Sequence, residues 1–160
     1  MRLYTKTALA LAFACVFVAS TAQAVIVNYT VGLLGSNEVG GGDPDAFGTA
    51  LLTLDSDTNQ ISWSITTFNM DPLFLDHIHQ APAGVNGPVV IDFAASLVGG
   101  PIIDADVAAV VANPSGYYVN VHSTVFTGGA IRGQVPEPGT VALVGLGMLG
   151  LGVTRRRQLR

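Results

Sequence analysis

A two-residue hydrophobic period runs through most of the interior of this 160-residue chain. Val27, Tyr29, Val31 and Leu33 alternate with Asn28, Thr30 and Gly32, and Ile61, Trp63 and Ile65 alternate with Ser62, Ser64 and Thr66. Successive side chains of a strand point to opposite faces, so each run predicts a strand with one buried and one wet face. Similar patterning predicts strands at Phe47–Leu54, Leu73–His79, Val89–Phe93, Tyr117–Thr124 and Ala130–Val135. Breakers separate them: Gly40-Gly41-Gly42 with Asp43-Pro44, the turn Asp55 to Asn59, the loop Ala81 to Pro88, and Phe126 to Gly129. Asp104 to Ala112 is the one expected helix, stopped by Asn113-Pro114-Ser115-Gly116. In the last hairpin Val119, Val121, Ile131 and Val135 form the apolar set, while Asn120, His122, Arg132 and Gln134 take the opposite face. About seven short strands with closely spaced turns predict an all-β fold, an antiparallel β-sandwich with one short helix.

The ends of the chain differ in kind from its middle. Arg2 and Lys6 precede an apolar run from Ala8 to Ala19, and Ala22-Gln23-Ala24 forms a small-x-small site before Val25. Residues 1–24 are therefore expected to be a signal peptide, cut by signal peptidase between Ala24 and Val25. Cys15, the only cysteine, lies within that segment, so the mature protein has no thiol or disulfide chemistry. The net charge of −4 conceals a segregation, because six of the seven basic residues sit at the termini. Residues 25–135 hold ten acidic side chains against one basic, Arg132, a net of −9. Such a domain is repelled by phosphate backbones, which excludes nucleic acid as its partner and favours cations or basic surfaces.

The three histidines are all in this acidic middle: His77 and His79, two apart on one expected strand, and His122 on another. Residues two apart share a strand face and lie roughly 6.5–7 Å apart at Cα. Two imidazoles so placed converge on one ion, and a third strand residue completes a three-nitrogen copper or zinc site. The alternative is that they are polar residues on the outer face of a sheet. Ser123 adjoins His122, but strand neighbours face opposite ways and cannot act as nucleophile and base. The pairs Asp43/Asp45, Asp55/Asp57 and Asp104/Asp106 suggest calcium only weakly, since calcium takes six to eight oxygens, and they suit turns and a helix start better.

Three separated runs stand out: Leu34-Gly35-Ser36-Asn37-Glu38-Val39, then His77-Ile78-His79-Gln80-Ala81-Pro82 with Gly84, Asn86, Gly87 and Pro88, then Tyr118 to Ser123 with Gly129-Ala130-Ile131-Arg132-Gly133-Gln134. In that order and spacing they resemble the CHRD domain, a module of secreted proteins. The resemblance spans residues 27–135 and implies a sandwich, immunoglobulin-like or superoxide-dismutase-like, acting as a non-enzymatic binding or structural module in domain 25–135. Val39-Gly40-Gly41 and Ala130 depart from the family pattern of Val-Pro-Pro and a Glu before Ile-Arg-Gly. Arg132, the lone cation of the core, is expected to pair with Glu38 or Asp76.

Residues 136–160 resemble the PEP-CTERM sorting signal: Pro136-Glu137-Pro138, an apolar run from Val141 to Val153, and Arg155-Arg156-Arg157. The resemblance implies export to the cell surface or outside the cell, an exosortase-type processing enzyme, and work beside extracellular polysaccharide or surface proteins. As a helix the apolar run would be about 20 Å long, short against a ~30 Å hydrocarbon core, so transient inner-membrane contact is expected rather than a permanent anchor. Gly145-Leu146-Gly147-Met148-Leu149-Gly150 matches a dinucleotide fingerprint by letter, but no βαβ unit or acid follows it. A rival function is metal-dependent redox catalysis, since His-x-His with a distant histidine is similar to the copper ligands of Cu/Zn superoxide dismutases. A fourth histidine, a zinc loop and the structural disulfide are all missing.

Overall fold

The computed structural model describes residues 26–139. The signal segment with its cleavage site at Ala24 and Val25, the C-terminal apolar run and the arginine tail lie outside the described residues. Eight strands form: β1 (Ile26–Leu34), β2 (Phe47–Asp55), β3 (Gln60–Phe68), β4 (Leu73–Gln80), β5 (Val89–Asp92), β6 (Val98–Ile103), β7 (Tyr117–Ser123) and β8 (Ile131–Gln134). The helix α1 (Val107–Ala112) lies between β6 and β7. All strand pairs are antiparallel, in the order β5-β4-β7-β8-β1-β2-β3-β6.

This one sheet behaves as a sandwich because it is pinched in the middle. β1 and β2 pair along nine positions, but β1 meets β8 only at Leu34 opposite Arg132. The sheet curls at that joint, so that β5-β4-β7-β8 faces β1-β2-β3-β6 across a shared core. Tyr29, Val31 and Leu33 of β1, Leu52 and Leu54 of β2, and Ile61, Trp63 and Ile65 of β3 supply one side. Ile78, Ile91, Val119, Val121 and Ile131 supply the other, and Val107 and Val110 of the helix, which lies against β2, join the same core. The predicted alternation thus selects the inward residues correctly on both layers.

The far ends of the layers are held by aromatic packing. Trp63 stacks on Phe93, ring centroids 4.4 Å apart, and its indole N–H donates to the Ser96 carbonyl at 2.6 Å. Asp76 reaches the same segment from β4, its Oδ1 accepting from the Ser96 N–H at 3.0 Å. Offset aromatic stacking adds about 0.5–1.5 kcal/mol beyond simple burial.

One expectation is refined and one corrected. The expected seven or so strands become eight, because Val98-Gly99-Gly100-Pro101-Ile102-Ile103 pairs with β3. Its Gly-Gly-Pro core reads as a breaker, yet Gly99 packs where a side chain would collide with the Trp63 ring, and an edge strand tolerates the proline. The helix begins at Val107 rather than Asp104, since Asp104 Oδ1 accepts from the Asp106 N–H at 3.0 Å and holds those residues in a turn. The other aspartate pairs do likewise: Asp43 accepts from the Asp45 N–H and Asp55 from the Asp57 and Thr58 N–H groups. They are turn-formers.

Candidate metal centre

β4 and β7 run side by side with His77 opposite Asn120, His79 opposite Tyr118, and Leu75 opposite His122. Ile78, Val119 and Val121 occupy the core side, so the three histidines, Tyr118 and Asn120 share the outer face. β8 extends it with Arg132 opposite Asn120 and Gln134 opposite Tyr118. The expected polar face of the closing hairpin therefore exists, but it is not wet. His77, His79, Asn120, His122 and Arg132 are all buried.

Loops cover this face. Residues 81–88 cross it, with Gly87 offering its carbonyl to His79 Nδ1 at 3.0 Å and its N–H to the Tyr118 hydroxyl at 3.2 Å. A side chain at position 87 would collide with the Gln80 carbonyl, so only glycine permits that approach. The β7–β8 loop brings the Thr127 carbonyl to His122 Nδ1 at 2.9 Å. Gln134 Nε2 lies within reach of the carbonyls of Ala81, Ser115 and Tyr117. A sequence pattern cannot show this lid, because polar faces of solvated and loop-covered sheets read alike.

The imidazoles meet. Ring centroids lie 5.5 Å apart for His77–His79, 5.3 Å for His77–His122 and 6.1 Å for His79–His122. One ring nitrogen from each falls within 4.8 Å of the others. A carbonyl only accepts, so Nδ1 of His79 and of His122 must carry the proton, leaving each Nε2 a free lone pair. Both Nε2 atoms are buried without a partner, as is His77 Nδ1. His77 Nε2 lies 3.8 Å from Asp92 Oδ1, whose strand pairs with β4 at that row. Burial lowers the pKa of all three rings; a neighbouring His122 charge adds to this at His77, while the Gly87 and Thr127 carbonyls partly offset it at His79 and His122. These shifts favour the neutral rings, which offer lone pairs.

Unpartnered buried nitrogens cost about 1–3 kcal/mol each, which makes three of them together unusual unless they serve a ligand. The donor set fits copper or zinc. Metal–nitrogen bonds of about 2.0–2.1 Å need the nitrogens roughly 3.3–3.5 Å apart, a closure of up to about 1.5 Å by side-chain rotation. Each ring's second nitrogen already faces an acceptor, the arrangement that orients ligating histidines. Among the described residues this is the one group of three or more histidine, cysteine or acidic side chains so gathered.

The expected ion pair of Arg132 does not form. Its Nη1 donates to Asn86 Oδ1 at 3.0 Å and Nη2 to the Val85 carbonyl, and the guanidinium lies 3.4 Å over the Tyr118 ring. Among the described residues no carboxylate comes within 4.0 Å of it. Asp76 shares the core side with Val121, facing away from Arg132, and burial raises its pKa to about 6. Glu38 packs against Gly42 and Gly129 instead. Ser123 accepts from the Phe126 N–H and has no part in the histidine cluster. Sequence reasoning missed Tyr118, Gly87 and Thr127 as the residues that hold the imidazoles.

Comparison with protein families settles what kind of chain carries this site. The CHRD domain model matches residues 29–135. The chain belongs to the CHRD domain family. The PEP-CTERM protein-sorting motif matches residues 134–157, marking the CHRD protein for exosortase processing and export to the cell surface. Pro136 and Glu137 of that motif are exposed and without regular structure. Among the described residues no helix is long and apolar enough to cross a membrane. No curated protein and no solved structure matched the chain.

Proposed function

We propose that this CHRD protein is a non-enzymatic surface module that holds one copper or zinc ion on His77, His79 and His122. One observation carries the reading: three buried histidines gathered by their ring nitrogens, each with one unpartnered buried nitrogen and a second that faces Gly87, Thr127 or Asp92. The metal would tie β4 and β7 to the loops above them and present a rigid surface to extracellular polysaccharide or another surface protein. The C-terminal apolar run would contact the inner membrane only until exosortase acts. Metal analysis of the purified protein should find one equivalent of copper or zinc, and His77→Ala, His79→Ala and His122→Ala should each abolish stoichiometric uptake. Equal metal content in the parent and all three variants would overturn the assignment. Superoxide dismutase activity proportional to copper loading would replace the non-enzymatic reading with the redox one.

A further inference from the structure

Tyr118 stands between a metal-facing ring and a buried cation. His79, on β4, stacks on one side of the Tyr118 ring with centroids 4.9 Å apart and planes 8° from parallel. Arg132, on β8, lies 3.4 Å over the same ring, and β7 runs between the other two strands. The guanidinium therefore sits on the opposite ring face, separated from the imidazole by hydrocarbon rather than water. Arg132 is 2% exposed, and its hydrogen bonds go to neutral oxygens of Val85 and Asn86.

We infer that this centre is built for a monovalent ion, Cu(I), in preference to a divalent one. The inference rests on the three-histidine reading above. No ligand in the set carries negative charge: the donors are three neutral imidazoles, and Asn120 Oδ1, the uncommitted buried oxygen on this face, is neutral too. The ion's whole charge then feels Arg132. Across about 8 Å, at an effective dielectric near 20, each added unit of positive charge is disfavoured about thirtyfold.

Two acids oppose Arg132, both incompletely. Asp92 lies 3.8 Å from His77 Nε2, but its side chain is 64% exposed and therefore strongly screened. Glu38 feels the guanidinium, yet burial pushes its carboxyl up to about 7, so it carries only part of a charge at neutral pH.

Copper outcompetes zinc at most imidazole sites, so substitutions decide the matter rather than the parent's preference alone. The full chain, stripped of metal, would be titrated anaerobically with Cu(I), with Ag(I) as a redox-inert monovalent ion, and with Zn(II), each against a chelator. Cu(I) and Ag(I) should bind at one equivalent and displace Zn(II). Arg132→Gln should narrow the monovalent-to-divalent affinity ratio about thirtyfold, lowering the Cu(II)/Cu(I) potential by about 90 mV. Asn86→Asp, which keeps the guanidinium and sets a carboxylate against its Nη1, should narrow the ratio and lower the potential in the same direction. Zn(II) displacing Ag(I), or a ratio unmoved in whichever of Arg132→Gln and Asn86→Asp folds, would overturn the inference and leave the metal site standing. Failure of all three ions to bind would overturn the site itself.

Discussion

Glu38 offers a test in which the sign of the effect decides between two structures. An ion pair with Arg132 would hold its carboxyl below the usual range, and the structure shows the reverse. Glu38 Oε1 is buried without a partner, and burial raises the pKa from 4.5 to about 7, with Arg132 offsetting only part. A carboxyl raised in the folded state contributes stability that is complete below its unfolded pKa and is lost as pH rises through its folded value. For Glu38 that window runs from pH 4.5 to about 7. At about 1.4 kcal/mol per unit the loss has a ceiling of about 3 kcal/mol, and solvent screening of a half-buried group reduces it to about 1–2 kcal/mol. Glu38→Gln removes the ionisation and keeps the shape. Thermal unfolding should show the variant about 5 °C more stable at pH 8 and nearly equal to the parent at pH 4.5. A variant less stable at pH 8, with the gap closing on acidification, would mean that the Glu38–Arg132 ion pair exists after all.

Two further substitutions probe the frame and the lid. Trp63→Ala removes the ring that joins β3 to Phe93 and Ser96, and urea unfolding should report a loss of about 3–5 kcal/mol, with a loss under about 1 kcal/mol showing that the layers close without it. Gly87→Ala forces the loop off the Gln80 carbonyl and withdraws the carbonyl acceptor from His79. Copper or zinc affinity should fall about 10–100-fold while far-ultraviolet circular dichroism is unchanged, and unchanged affinity would remove Gly87 from the centre.

The sequence makes the core legible because hydrophobic alternation is a local signal. Ile61, Trp63 and Ile65 need only their own neighbours to declare a buried face, and all three are in the core. The gathering of His77, His79 and His122 is half legible: two share a strand by spacing, but the third joins only through the β4–β7 register. What the sequence withholds is anything set by chain segments distant in number. Arg132 looks like a cation in need of a carboxylate, and its actual partners are an asparagine, a carbonyl and an aromatic face from two other segments. Gly99-Gly100-Pro101 looks like a loop until the bulk of Trp63 gives the glycine a reason to be in a strand.

The position of the histidines determines how a bound ion would act on the domain. They stand on the outer face of one layer, so an ion there touches no core side chain. It is tied instead to the loops, through Gly87 to residues 81–88 and through Thr127 to the β7–β8 connection. Loops of this kind open locally at free energies far below that of global unfolding. An ion that binds only the closed form adds about 4 kcal/mol at a thousandfold excess over its Kd. Hydrogen exchange should therefore slow at Gly87 and Gly129, whose N–H groups bond to the Tyr118 hydroxyl and the Phe126 carbonyl. Amides of β2, paired on both sides within the other layer, should change little by local opening. Equal slowing in β2 and in the loops would show the ion acting on global unfolding alone, and the lid would then be no separate unit.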